Sequence, residues 1–207
     1  MIEVLMKGLG VGVAVAAPVG PIGLLCIKRT LADGRATGIA SGLGAATADA
    51  VYGFMVAVGL AATGLLVSYS GPMRLFGGAL IAFLGVLSIR AFLDHSDKGP
   101  KLGSATETRG IMFAFMTTFA LTIANPMTIL AFVALIAGLG TSAGSHPGAP
   151  YVLVLGVFTG SALWWFLLVS IASTARSKIT RRATQWLDLL SGLVLPTWGT
   201  WIAWGAV

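Results

Sequence analysis

Residues 14–29 read Ala14-Val-Ala-Ala-Pro18-Val-Gly20-Pro21-Ile-Gly-Leu-Leu-Cys26-Ile-Lys28-Arg29. Everything before the closing Lys28-Arg29 pair is apolar or small, and two prolines flank a glycine in its middle. The apolar run covers residues 4–27, about the length needed to cross a bilayer. Its first part imitates a secretory signal, with Lys7, an apolar stretch, and Ala14 and Ala16 at A-x-A spacing. The run continues well past that point, so we read it as an uncleaved first membrane span. Each proline removes a backbone donor and crowds the preceding turn, leaving carbonyls without helical partners. Such groups are tolerated in a membrane only where protein or a water-filled cavity satisfies them. The break is therefore either a packing kink or a point where the backbone faces an internal site.

Composition agrees with a membrane chain. Of 207 residues, 57% are hydrophobic and 10% charged, against roughly 25% charged in a soluble domain. The 28 glycines fit as well, because glycine is more frequent in membrane helices than in soluble ones. One cysteine, Cys26, excludes an internal disulfide framework and any multi-cysteine metal site; it reads as a small apolar filler. The formal charge of +6 does not call for nucleic acid, because the basic residues lie in short loops between spans, where they set topology.

Five further segments qualify as spans: residues 36–67, 73–89, 110–139, 151–174 and 186–207. The loops after spans one, three and five carry Lys28, Arg29 and Arg35; Arg90, Lys98, Lys101 and Arg109; and Arg176, Lys178, Arg181 and Arg182. The opposite side carries only Lys7 and Arg74. This bias puts both termini outside, on the periplasmic face. The chain divides into residues 1–93 and 110–207, two units of three spans, joined by a cytoplasmic linker at 94–109. An odd number of spans per unit inverts the second unit relative to the first. Each unit opens with a helix broken by proline, at Pro18 and Pro21 and at Pro126. Paired breaks in inverted halves mark the binding site of many secondary transporters. The expected fold is all-α: six transmembrane helices as two inverted three-helix repeats.

Asp49 lies in Ala45-Ala-Thr-Ala-Asp49-Ala-Val51, roughly 20 Å into a core about 30 Å thick. A charged carboxylate at that depth costs at least a few kcal/mol, which makes it a functional candidate by default. No Lys, Arg or second acid lies at comparable depth. It reads as a group that exchanges a proton or meets a cation; the alternative is a neutral acid hydrogen-bonded between helices. In span four, Asn125 stands beside Pro126 with Thr122 and Thr128 nearby. That cluster either holds a small polar ligand or caps its own broken helix. The spacing of Gly34, Gly38, Gly42 and Ala46, and of Gly156 and Gly160, forms small-residue rows that set either internal contacts or the face of a homodimer. Trp164, Trp165 and Phe166 fall mid-span, away from the interfacial belt; either tryptophan could line a substrate path or simply pack. Trp198, Trp201 and Trp204 read as interfacial anchors, and His95 and His146 as loop residues without a metal role.

These segments together resemble the LysE/RhtB-type amino-acid exporters. Pro18-Val-Gly-Pro21 with Leu31-Ala-Asp-Gly-Arg35-Ala-Thr-Gly38 looks like the family's first motif and cytoplasmic turn. Gly42-Leu-Gly44 to Leu60, Gly77-Gly-Ala-Leu80 to Arg90, Ala124-Asn125-Pro126 to Leu130, and Gly192-Leu-Val194 look like its later spans. The proline–x–glycine–proline form and the span-two aspartate are similar to the branch exporting basic amino acids. That branch tends to carry a second acid where this chain has Ala131, so a cationic side chain loses a partner. The resemblance implies a multi-pass protein of a bacterial inner membrane. It implies export of an amino acid or related metabolite driven by protons, with no cofactor, no metal and no enzymatic step. Pro18, Gly20, Pro21, Asn125, Pro126, Thr128 and Trp164 would contact substrate, and Asp49 would couple it to protons. Metal or inorganic-ion efflux is the alternative, and it lacks the cluster of acids, histidines or cysteines it needs.

Overall fold

The chain was analysed as a computed structural model, which describes residues 1–18, 20–57, 70–93, 104–125, 128, 131–132, 148–176 and 181–204. Among them the regular structure is entirely helical. The helices are α1 (Ile2–Ala16), α2 (Pro21–Ala32), α3 (Arg35–Ala57), α4 (Ser70–Leu93), α5 (Ser104–Ile123), α6 (Ala149–Arg176) and α7 (Arg181–Trp204). The far ends of spans two and four, residues 58–67 and 133–139, and residues 94–103 of the linker lie outside the described residues. Residues 104–109 of the linker belong to α5 instead. Their sequence, Ser104-Ala-Thr-Glu107, carries the serine-to-glutamate spacing of a helix start.

Length and apolarity single out α6, whose stretch Ala149–Ala175 has a mean hydropathy of 2.2. The segment expected as the first span forms two helices, α1 and α2, meeting at 81° and passing the same test together. Outward-facing positions are apolar, among them Phe83, Phe113, Leu163, Phe166 and Ile171. The buried side is small or weakly polar, with Ala45, Ala46, Ala48, Thr30, Ser41 and Ser161 at its centre. An apolar exterior over a small-residue interior is the pattern of helices packed in lipid.

Helix α1 packs chiefly on α6, α3 lies between α5 and α6, α4 packs on α7, and α2 touches α3, α6 and α7. Close approach needs glycine. A Cβ at Gly12 would lie 2.8 Å from the Ser161 amide nitrogen, and one at Gly156 would lie 2.9 Å from Gly8 Cα. Gly42 admits the Trp165 side chain in the same way, so both small-residue rows serve contacts inside the chain. Gly34 leaves its row: with φ of 106° it forms the turn from α2 to α3. Its amide and that of Asp33 both donate to the Arg29 carbonyl, a helix ending that favours glycine. Proline 196 sits inside α7, where its ring meets the bare backbone of Gly85 on α4.

The α1–α6 seam gives a matched pair of expected outcomes. Gly12→Ala, with no room for its methyl, should lower stability by about 1–3 kcal/mol. Gly10→Ala on the open side of the same helix, where a Cβ meets nothing within 4 Å, should leave it unchanged or slightly raised. Thermal unfolding of the detergent-solubilised proteins separates the two, and equal melting points would show that the seam tolerates a methyl.

Candidate functional site

The site begins with the break in the first span. Helix α1 ends at Ala16, and the Ala17 amide makes its last bond, to the Val13 carbonyl at 2.8 Å. Gly20 is extended, with φ −99° and ψ −157°, and caps α2 with no side chain. Pro21 occupies the first helical position, where its missing N–H costs nothing and its fixed φ suits the helix. Helix α5 comes apart nearby. The Asn125 amide reaches back to the Thr122 carbonyl at 3.2 Å, and the Thr128 amide donates to the Asn125 carbonyl at 3.1 Å. The Ile123 carbonyl accepts a hydrogen bond from the Tyr52 hydroxyl. The Tyr52 ring stacks on Phe132 at 5.5 Å.

A cavity of about 60 Å³ lies where the two breaks face each other. Pro18, Gly20 and Pro21 come to it from the first break, and Thr122, Asn125 and Thr128 from the second. Asp49 of α3 and Trp165 of α6 complete its wall. Asp49 is 2% exposed, and its Oδ2 accepts a 2.7 Å hydrogen bond from Ser161. Ser161 stands four residues before Trp165, one turn along the same face of α6. A hydrogen bond to a charged group contributes about 1.5–3 kcal/mol, which does not offset a charge buried at mid-membrane. The indole N–H groups of Trp164 and Trp165 have no acceptor, an arrangement costing about 1–3 kcal/mol for each buried donor.

The structure thus brings together Asp49, Pro18, Gly20, Pro21, Asn125 and Thr128 of the expected site residues. Pro126 lies outside the described residues. Trp164 does not reach the cavity; it packs against the apolar core, and Trp165 takes the wall. Consecutive helical residues point about 100° apart, so only one of the pair can share the Ser161 face. Ser161 and Tyr52 escape sequence reasoning, although Tyr52 follows Asp49 by three residues and so shares its side of α3.

Arg29 also exceeds what its position suggests. Read from sequence it is a topology determinant, yet it is 8% exposed and joins three helices. One guanidinium nitrogen donates to Ser41 of α3 at 3.2 Å, to the Ala114 carbonyl of α5 at 3.1 Å and to the Thr118 hydroxyl at 2.9 Å. The other donates to the Thr117 hydroxyl at 2.8 Å. Four neutral acceptors in a fork geometry suit arginine and not lysine. Ser41 and Asp49 are eight residues apart on α3, so this network lies roughly 12 Å from the acid, on the side toward the α2–α3 turn.

Comparison with known proteins adds a family and a relative. The family described as "LysE type translocator" matches residues 13–203. The chain is similar to the Bacillus subtilis (strain 168) protein YcgF, named "Putative amino acid efflux protein", at 23% identity over 190 residues. That alignment covers 91% of this chain and 89% of the relative. No solved structure matches the chain.

The Arg29 network should be measurable as stability. Arg29→Ala leaves buried hydroxyls and a carbonyl without their donor and should cost roughly 2–4 kcal/mol in unfolding experiments in detergent. Arg29→Lys, which keeps the charge but not the fork, should recover only part of the loss. A stable alanine variant would show that the network contributes nothing to the fold.

Proposed function

Because this chain belongs to the LysE type translocator family, we propose that it is a secondary exporter of amino acids or closely related small metabolites, driven by proton-motive force. Membership makes it a membrane transporter and not an enzyme. We place it in a bacterial inner membrane, as six spans in two inverted repeats with both termini periplasmic. The charge bias of the loops supports that orientation, and the packing supports the repeat. Exchanging spans one with four, two with five and three with six turns the α1–α6 contact into the α5–α3 contact. The same exchange returns α3–α6 and α4–α7 to themselves, and all four are substantial contacts.

The observation that carries the proposal is the cavity shared by both helix breaks, with Asp49 in its wall. A proline-broken span from each repeat, meeting at a buried acid, is the arrangement expected of an alternating-access site. Rocking of one repeat against the other would open the cavity to each side in turn. Asp49 would carry the coupling proton or meet a cationic part of the substrate. The efflux named for the Bacillus subtilis relative agrees with this direction of transport. Metal-ion efflux is the weaker reading, because the cavity wall offers one carboxylate and the described residues hold no group of three His, Cys, Asp or Glu side chains.

Replacing Asp49 by Asn keeps the volume and a hydrogen bond with Ser161 while removing the ionisable group. In vesicles with an imposed pH gradient, D49N should fold and lose gradient-driven efflux. Undiminished, pH-independent transport by that variant would sink the coupling role.

A further inference from the structure

We infer that the cavity is built for a small neutral α-amino acid held as a zwitterion, with each charged end read by a different wall. The inference rests on the transport reading above. Asp49 supplies the negative wall: Ser161 occupies Oδ2, and among the described residues no hydrogen bond reaches Oδ1. The positive wall is the first turn of α2, twelve residues long, whose cap Gly20 contributes no side chain to its own amides. Pro21 has no N–H to give, so Ile22 and Gly23 are the first donors, and the first turn of a helix offers them no internal acceptor. Both residues line the same cavity as Asp49. A helix start carries partial positive charge and binds carboxylates through such amides. Trp165 lines the same cavity; its indole N–H also lacks an acceptor, and that side chain is 6% exposed.

A carboxylate and a positive helix end facing one small space are complementary to a dipolar ion. A bare amine would leave the amides unanswered, and a bare carboxylate would leave Asp49 unanswered. The α-ammonium therefore sits at Asp49 Oδ1 and the α-carboxylate at the Ile22 and Gly23 amides. Size follows from volume. About 60 Å³ corresponds to roughly two water molecules at about 30 Å³ each, so the head group fills the space and only the smallest side chains can accompany it. Charge follows from the remaining lining. Thr122, Asn125 and Thr128 are neutral, so a lysine or arginine side chain finds no second anion.

The test uses the full chain in proteoliposomes, following efflux of radiolabelled alanine, leucine and lysine in parallel. Propionate and ethylamine, which are alanine without its amine and alanine without its carboxylate, serve as competitors in large excess. Alanine should leave about tenfold faster than leucine or lysine, and neither half-molecule should compete as alanine itself does. Gly20→Ala adds a methyl where nothing lies within 4 Å, so it folds, narrows the cavity and should raise KM for alanine more than for glycine. Leucine or lysine carried as fast as alanine overturns the small neutral assignment. Effective competition by propionate or ethylamine overturns the two-ended reading, and an unchanged alanine-to-glycine KM ratio in G20A overturns the placement beside Gly20. All three results leave amino-acid export standing. If none of the amino acids moves, the export reading itself fails and takes this inference with it.

Discussion

A chain that lies in lipid has no water to satisfy a broken backbone, and this constraint organises everything around residues 17–20. The first span cannot be a straight helix with Pro18 and Pro21 in its middle. It turns through 81° instead, and the turn exposes both a helix end and a helix start inside the protein. At the second break, Tyr52 of α3 donates to the Ile123 carbonyl in the last turn of α5. What remains unsatisfied on the α2 side faces the cavity. The cavity follows from two broken helices that must hide their loose backbone groups in the same place.

The buried charges obey a related logic. Asp49 and Arg29 are both nearly inaccessible, yet they do not pair with each other. The hydrogen-bond partners of each are neutral, a serine hydroxyl for the acid and three hydroxyls and a carbonyl for the guanidinium, with Asp33 one turn along adding its charge near Arg29. A direct ion pair at low dielectric would be hard to separate. Hydrogen bonds to hydroxyls contribute about 1 kcal/mol each, more where a charge takes part, and can be exchanged for others. For a protein that must alternate between conformations this is the useful arrangement. The Arg29 bonds bridge the first span, α3 and α5, which any rocking of one repeat against the other would have to remake.

Much of this was legible in the residues. The apolar runs, the proline breaks and the apolar setting of Asp49 are local properties, written in composition and spacing, and they lead to a helical membrane protein with a buried acid. The family resemblance drawn from Pro18–Pro21 and Asn125-Pro126 agrees with the family match over residues 13–203. What was not legible depends on which faces meet. Ser161 is one serine among many until α6 lies against α3 and brings it to Asp49, 112 residues away. Trp165 and Trp164 are indistinguishable in the sequence, and only helix phase decides between them. Arg29 reads as a loop charge because its burial is made by α3 folding back across the Gly34 turn and by α5, 85 residues further along the chain.

The proposed repeat also explains why the site is asymmetric. Exchange of the two halves maps α3 onto α6, so the Asp49–Ser161 hydrogen bond runs directly between repeat-related helices. One helix brings an acid and the other only hydroxyl and indole donors. Two acids facing each other there would repel when both were charged, and each would need its own cation. A single acid with one oxygen already engaged accepts one cation at a time. In the proposed mechanism, two-fold architecture would let the protein present its cavity to either side of the membrane, while the broken symmetry at this one pair would make proton and substrate ammonium alternatives for the same oxygen. Exchange of one for the other is the chemistry an antiporter requires.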